Sequence, residues 1–353
     1  MTRNRLLIAV SPAAVESEWR SVVGALAGAI EALGQADMLA IRTGSSGWVR
    51  PADRAPVTAP EYGDTILVAG CGADDATQIG LLEAARIAGA RVAVYVHDLT
   101  PLRRPEWFAP DHTARFGHWL QTVLSLAQLV IIPSSATGRD LDAFRRRHNI
   151  ADHGTRKLRL GDGVLPSSSD PSPIQGPYVL LAAPFDQRTG HGVVLSAWRR
   201  LGARFAPGTL PRLVLAGGEG HLCGELRERL ARGLPDVTAQ FGPSPAELAA
   251  LFAGCLFTIL PAPVEGWGLP VTESFALGKP VFAANSGGLP EAGQRLARYF
   301  DPLDPDDLAR NVERALRDQG DLSRWQAEIA RGHQKRGWMD AAMELLGLIA
   351  ALA

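Results

Sequence analysis

The sequence predicts a parallel α/β protein built in two halves. Three observations carry this. Short apolar runs alternate with amphipathic helical stretches, as in parallel sheets covered by helices. The 353 residues are too many for one comfortable core and suit two domains. The alternation is interrupted once, by residues 161–177, which hold four prolines and four serines and read as a flexible linker.

In the first half, strands are expected at Arg5–Val10, Met38–Arg42, Thr65–Ala69, Arg91–Val96 and Leu129–Ile132. Helical periodicity fills Ser17–Leu33, Thr77–Ala88 and Thr113–Leu126. Residues 44–63, rich in Gly, Pro and Ser, read as loop. After the linker, strands follow at Tyr178–Ala183, Arg212–Ala216, Val237–Phe241, Leu256–Leu260 and Pro280–Ala284. A helix from Pro245 begins with Ser244 as its cap and Glu247 at the third position, a capping box with a proline start. Asp304, Pro305 and Asp307 repeat the device with Asp as the cap. In two such halves, ligands are expected at the carboxyl ends of the strands.

The formal net charge of −1 gives no electrostatic case for nucleic acid as a partner. Three scattered cysteines, Cys71, Cys223 and Cys255, fit neither a disulfide framework nor a metal knuckle, and are expected reduced and buried or half-buried. The apolar run Leu6–Val10 is too short for a signal-peptide core and reads as a strand. No stretch approaches the roughly 20 apolar residues of a membrane span, so a cytoplasmic protein is expected.

The segment that carries chemistry is PAPVEGWGLPVTESFALGKPVFAAN, residues 261–285. Glu265 precedes a Gly266-Trp267-Gly268 turn, Pro270 opens a short helix, and Glu273 lies eight residues after Glu265, on the first turn. The N–H groups of Trp267, Gly268 and Leu269 stand at a helix N-terminus, whose dipole favours a phosphate, and glycine lets the backbone approach closely. Carboxylates accept charge-assisted hydrogen bonds from neighbouring hydroxyls, as on a sugar or ribose. Two carboxylates around an anion-binding turn suit a nucleotide-sugar. Alone, Glu273 reads equally as a helix-terminal acid favoured by the dipole.

This segment resembles the Glu-x7-Glu motif of retaining GT-B glycosyltransferases, specifically glycosyltransferase family 4 (group 1). The resemblance extends to YVLLAAPFDQRTGHGVVLSAWRRL from Tyr178, then LVLAGGEG, GPSPAELAALFAG and GLPEAG…YFDPLDPDDLA in the family's order. In the first half, YVHDLTPLRRPEWF and LVIIPSSATGRDLDAF resemble bacterial polysaccharide mannosyltransferases.

The resemblance implies two Rossmann-like domains facing across a central cleft: residues 1–165 on the acceptor side, a linker at 166–177, a nucleotide-sugar domain at 178–337, and a helix at 338–353 crossing back to the N-domain. It implies that Glu273 holds the ribose hydroxyls and Glu265 the sugar hydroxyls near the reacting carbon. Gly266 shapes the turn, while the N–H groups of Trp267, Gly268 and Leu269 hold the sugar and distal phosphate. Arg188 would stabilise the departing diphosphate, His97 would reach the transferred sugar, and Asp98 would orient His97 or contact the acceptor. By their own residue types, His97 reads equally as a strand-end histidine bonded to backbone, and Arg188 as a solvated loop charge.

The implied reaction is retaining hexosyl transfer, mannose by preference, with GDP-mannose as donor or a UDP-sugar in its place, and no cofactor. The acceptor would be a saccharide or lipid-linked saccharide. Two departures from the pattern stand out: Thr189 follows Arg188 where the family has lysine, and SPAAVESEWRSVV, with Glu16 and Glu18, replaces a glycine-rich loop, leaving Arg20 as a substitute cation. They motivate an alternative, a catalytically degenerate relative acting as a nucleotide- or protein-binding module. A dehydrogenase is disfavoured, because no Gly-x-Gly-x-x-Gly follows the first strand.

Asp140/Asp142 and Asp304/Asp306 resemble metal–diphosphate pairs but read as caps and surface, so no metal is expected. Residues 102–108, LRRPEWF, have a composition suited to peripheral contact with an anionic membrane or lipid-linked acceptor, and equally to a packed loop. Arg145–Arg147 with His148 reads as the exposed face of a helix. The sequence is silent on oligomeric state.

Overall fold

The computed structural model describes the chain except residues 1–4, 10–18, 35–36, 45–46, 51–54, 71–72, 74, 164, 166–169, 221–223, 226, 229–233, 235 and 353. It divides into two compact units, Met1–Gly161 with Arg336–Ala353, and Asp162–Lys335.

The first unit holds β1 (Arg5–Ala9), β2 (Asp37–Gly44), β3 (Gly47–Val49), β4 (Thr65–Val68), β5 (Arg91–Tyr95), β6 (Leu129–Ile132) and β7 (Thr155–Lys157). Their order is β3-β2-β1-β4-β5-β6-β7, every pair parallel except β2 with β3. Leu7, Ile66, Val92, Val94 and Ile131 are fully buried, as central strands covered on both faces require. The strand order reverses between β1 and β4.

Two expectations change here. The stretch read as loop, 44–63, contains β3, whose Trp48 is buried and whose carbonyl accepts from Val57 N–H at 2.8 Å. Three residues are too short for period-2 alternation to register. The helix Ser135–His148, capped by the Ser134 hydroxyl on Thr137 N–H at 3.1 Å, does not present its whole basic run to solvent. Arg145 is buried, 2.7 Å from Thr155 Oγ1 and 3.1 Å from Asp152 Oδ1, while Arg146 and Arg147 are exposed. At 3.6 residues per turn, consecutive arginines cannot all share one face.

The second unit holds β8 (Tyr178–Ala182), β9 (Arg212–Gly217), β10 (Val237–Phe241), β11 (Thr258–Leu260), β12 (Val281–Ala284) and β13 (Arg298–Phe300), ordered β10-β9-β8-β11-β12-β13 and parallel throughout. This is the doubly wound order, with its reversal between β8 and β11. Phe282 packs edge-on against Phe257 and Trp325, with ring centroids 5.2 and 5.1 Å apart. The helix Pro245–Gly254 carries the expected capping box, Ser244 with Glu247. Cys255 is a buried free thiol held up at about 12 by burial. Cys71 and Cys223 lie outside the described residues.

The Pro- and Ser-rich stretch is not a free linker where it is described. Leu165 and Ile174 pack on the core of Tyr178, Leu251 and Phe252, and the Ser172 hydroxyl lies 2.8 Å from that of Tyr178. Its apolar residues secure it to the second unit, which composition alone does not reveal. The helix Trp338–Ala350 packs in the first unit on the helix Trp19–Leu33. Among the described residues, no helix is long and apolar enough to cross a membrane.

Candidate functional site

Three loops meet at the carboxyl edge of the second sheet, at its reversal point. The first follows β8 and runs from Ala183 to Gly190, where the helix His191–Gly202 begins. The second follows β11 and runs from Pro261 to Gly268, the cap of the helix Leu269–Ala276. The third follows β12 and contains Ser286, Gly287 and Gly288. Their backbones touch. A Cβ on Gly190, which has φ +75°, would run into the Pro261 carbonyl oxygen, and one on Gly287, with φ +55°, into that of Glu265. The third loop is tied to the second by Gly288 N–H donating to Glu265 O at 2.8 Å and Ser286 Oγ to Ala262 O at 2.7 Å. Only glycine allows this approach at a left-handed φ.

The structure therefore packs Pro261, which opens the segment bearing Glu265, Gly266, Trp267, Gly268 and Leu269, against Gly190 at the end of the loop that bears Arg188, and packs Glu265 and Gly266 against Gly287 and Gly288. Glu265 is half-buried, and the Trp267 indole is buried, with no partner for Nε1 among the described residues. No described residue accepts the backbone N–H groups of Trp267, Gly268 and Leu269. Glu273 is buried and stands one residue further along the helix than the sequence reading put it: Leu269 is the first helical residue, so Glu273 begins the second turn and no acid stands in the first. The helix dipole, confined to that first turn, therefore does not account for Glu273.

Arg188 is an exposed charge with a buried partner. Its Nε and Nη2 form a fork on Asp186, at 2.9 and 3.0 Å, and its N–H donates to Asp186 Oδ1 at 2.9 Å. Asp186 is buried while the Arg188 side chain is half-exposed, so the pair fixes the guanidinium plane at the loop surface. Thr189, standing where lysine was expected, turns inward. Its hydroxyl lies 2.6 Å from Asp186 O, 3.0 Å from Pro184 O and 2.8 Å from His191 Nδ1. His191 is buried, with its ring centroid 5.3 Å from that of Phe185 and Nε2 without a partner among the described residues. Burial drives its pKa down to about 4, only partly offset by the Asp186 backbone and charge. The loop therefore holds a neutral imidazole. Asp186 and His191 went unnoticed in the sequence, although each sits within three residues of Arg188.

A second group lies behind Glu273. A Cβ on Gly163 would stand 2.8 Å from Glu273 Cγ, next to the buried Asp162. His333 Nε2 is 3.0 Å from Asp162 Oδ2 but is not aligned for a hydrogen bond.

His97 belongs to the first unit, just beyond β5. Its Nδ1 is 3.4 Å from the Tyr95 hydroxyl, its Nε2 4.0 Å from Asp98 Oδ2, and its carbonyl accepts from Thr137 Oγ1 at 2.9 Å. Asp98 Oδ1 meanwhile accepts from Thr100 N–H at 2.7 Å. Glu16 and Glu18 lie outside the described residues, as does the side chain of Arg20.

In the 102–108 stretch, Arg103 pairs with Asp140, and Arg104 stacks 4.6 Å from the Trp107 ring centroid while reaching Glu106 at 3.4 Å. Asp304 caps the helix Pro305–Arg317 through Asp306 N–H at 2.8 Å. Among the described residues, no cluster of three His, Cys, Asp or Glu is placed to hold a metal ion.

The family model described as "Glycosyl transferases group 1" matches residues 169–332. The second unit carries a group 1 glycosyl transferase domain. The serotype-specific mannosyltransferase WbdA of Escherichia coli is 28% identical over 255 residues, covering 67% of this chain and 31% of the relative. A D-inositol 3-phosphate glycosyltransferase of Segniliparus rotundus is 31% identical over 217 residues, covering 61% of this chain and 41% of the relative. The chain thus spans about a third of the length of the mannosyltransferase it matches. Among solved structures, the sucrose-phosphate synthase of Thermosynechococcus elongatus aligns over 99% of both chains with a TM-score of 0.70 and 16% identity. Anabaena HepE, solved with UDP and glucose, aligns over 99% of this chain and 100% of its own with a TM-score of 0.69 and 16% identity. The fold is GT-B, with two α/β domains each built on a largely parallel sheet, and the group 1 match lies in the second.

Proposed function

We propose that this chain transfers a hexose, mannose by preference, from a nucleotide-sugar to a saccharide or lipid-linked saccharide acceptor, with retention at the anomeric carbon. The observation that carries the reading is that the Pro261–Gly268 loop packs through Pro261 on Gly190 of the Arg188 loop and through Glu265 and Gly266 on Gly287 and Gly288, at the reversal point of the second sheet. The E. coli relative's name, a mannosyltransferase, supports the choice of sugar. GDP-mannose is the favoured donor, and a UDP-sugar the alternative.

In this reading Glu273 accepts hydrogen bonds from the ribose hydroxyls, and Glu265 from sugar hydroxyls near the reacting carbon. The N–H groups of Trp267, Gly268 and Leu269 hold the sugar and distal phosphate at the helix start. Arg188, fixed in plane by Asp186, stabilises the leaving diphosphate, and His97 contacts the transferred sugar. The acceptor oxygen attacks the anomeric carbon from the face that the diphosphate leaves. The carbon–oxygen bond to phosphate breaks, and the acceptor's proton passes to the departing phosphate oxygen. No protein base enters, so catalysis is positioning and electrostatic stabilisation.

The test is a transfer assay with GDP-mannose and UDP-glucose on saccharide acceptors, with product configuration read by NMR. An α-linked product from an α-linked donor supports the reading. An inverted product overturns the mechanism, and binding without turnover favours the nucleotide-binding module.

A further inference from the structure

Glu273 is a buried carboxylate whose stem is backed by Gly163: a Cβ there would lie 2.8 Å from Glu273 Cγ and 3.6 Å from Oε1. Gly163 is the neighbour of Asp162, itself buried, whose Oδ2 lies 3.0 Å from Nε2 of His333. His333 closes the helix Gln319–Gly332, donating its N–H to Ile329 O at 2.9 Å. Its ring centroid is 5.5 Å from that of Phe275, two residues beyond Glu273 on the helix Leu269–Ala276. A closed circuit results: Glu273 rests on Gly163, Gly163 follows Asp162, Asp162 meets His333, and His333 packs on the helix that carries Glu273.

We propose that Asp162 and His333 are a positioning pair that sets the rotamer of Glu273, and thereby the recognition of a vicinal diol on the donor's ribose. The inference rests on the reading of Glu273 given above. Physically, a buried carboxylate is costly unless opposing groups hold it, and His333 Nε2, 3.0 Å from Asp162 Oδ2, is one such group. With Asp162 beside His333, the backbone of Gly163 stands behind the Glu273 stem, where a side chain as small as a methyl would crowd Cγ. Recognition of a non-reacting diol contributes equally to the ground and transition states. Its loss therefore appears in KM and Kd and leaves kcat nearly unchanged.

The experiment titrates the full chain by calorimetry with GDP and UDP, and with their 2′,3′-dideoxy counterparts. The wild type is expected to prefer a ribo nucleotide by roughly tenfold or more, the worth of hydrogen bonds to a charged acceptor. Glu273→Ala is expected to abolish that preference. His333→Gln and, independently, Gly163→Ala are expected to reduce it severalfold, and His333→Gln to have no further effect in the Glu273→Ala background.

If the wild type binds ribo and dideoxy nucleotides equally, or binds neither, the reading of Glu273 itself fails. If the wild type discriminates, Glu273→Ala does not, and either folded variant discriminates like the wild type, the positioning pair is refuted while Glu273 stands. A uniform loss for ribo and dideoxy nucleotides alike would mark a merely structural role and also refute it.

Discussion

The neutral imidazole of His191 makes the second unit sensitive to acid in a calculable way. Its pKa falls from 6.5 to about 4 in the fold, chiefly through burial. At about 1.4 kcal/mol per pKa unit, the 2.5-unit difference amounts to about 3 kcal/mol. The group is depressed in the fold, so the unfolded chain binds the extra proton. The full stability is therefore present above pH 6.5, declines as pH falls from there to about 4, and loses nothing more from this group below. Urea unfolding of the full chain at pH 7.5, 5.5 and 4.5, compared with His191→Gln, measures it. The variant is expected to be less stable at pH 7.5, because it replaces a packed ring, and to lose less stability on acidification, with the two curves converging by roughly 2–3 kcal/mol. Parallel curves would show that His191 titrates alike in both states, refuting the account of it as a buried neutral ring in the Arg188 loop.

Other perturbations follow from the same geometry. Gly190→Ala forces a side chain onto the Pro261 carbonyl at a left-handed φ, and should cost at least about 2 kcal/mol in chemical denaturation together with much of the donor affinity. Arg188→Ala should lower kcat by roughly a hundredfold with donor Kd changed far less, as for a group acting on developing charge. Asp186→Asn keeps the cation but loses the charged fork, and should lower kcat by roughly tenfold in the same assay. Arg145→Met strips the charged partner from Asp152 and Thr155 and should lower the melting temperature by several degrees, whereas Arg146→Met should leave it nearly unchanged.

Much of this was readable from the chain because it is local. The buried central strands are continuous apolar runs, and the Glu265-to-Glu273 segment places an anion-binding turn and two acids within nine residues. What stayed hidden depends on contacts distant in sequence or on sub-turn geometry. β3, β7 and β13 have three residues each, too few for a period to show. Nothing local marks Asp162 and His333 as partners, nor tells which of three consecutive arginines turns inward. The inward Thr189 shows the same limit: its place in the motif suggested a lost cation, but its hydroxyl bonds reveal a residue bracing the loop.

The location of the donor site is tested most directly by hydrogen–deuterium exchange of the full chain with and without saturating GDP-mannose or UDP-glucose. Slowed exchange in the peptides spanning residues 183–191 and 261–276 is the expected result, with weaker protection in Glu273→Ala at a donor concentration near the wild-type Kd. Protection confined to other segments, or identical protection in wild type and variant, would contradict the assignment of these two loops as the nucleotide-sugar site.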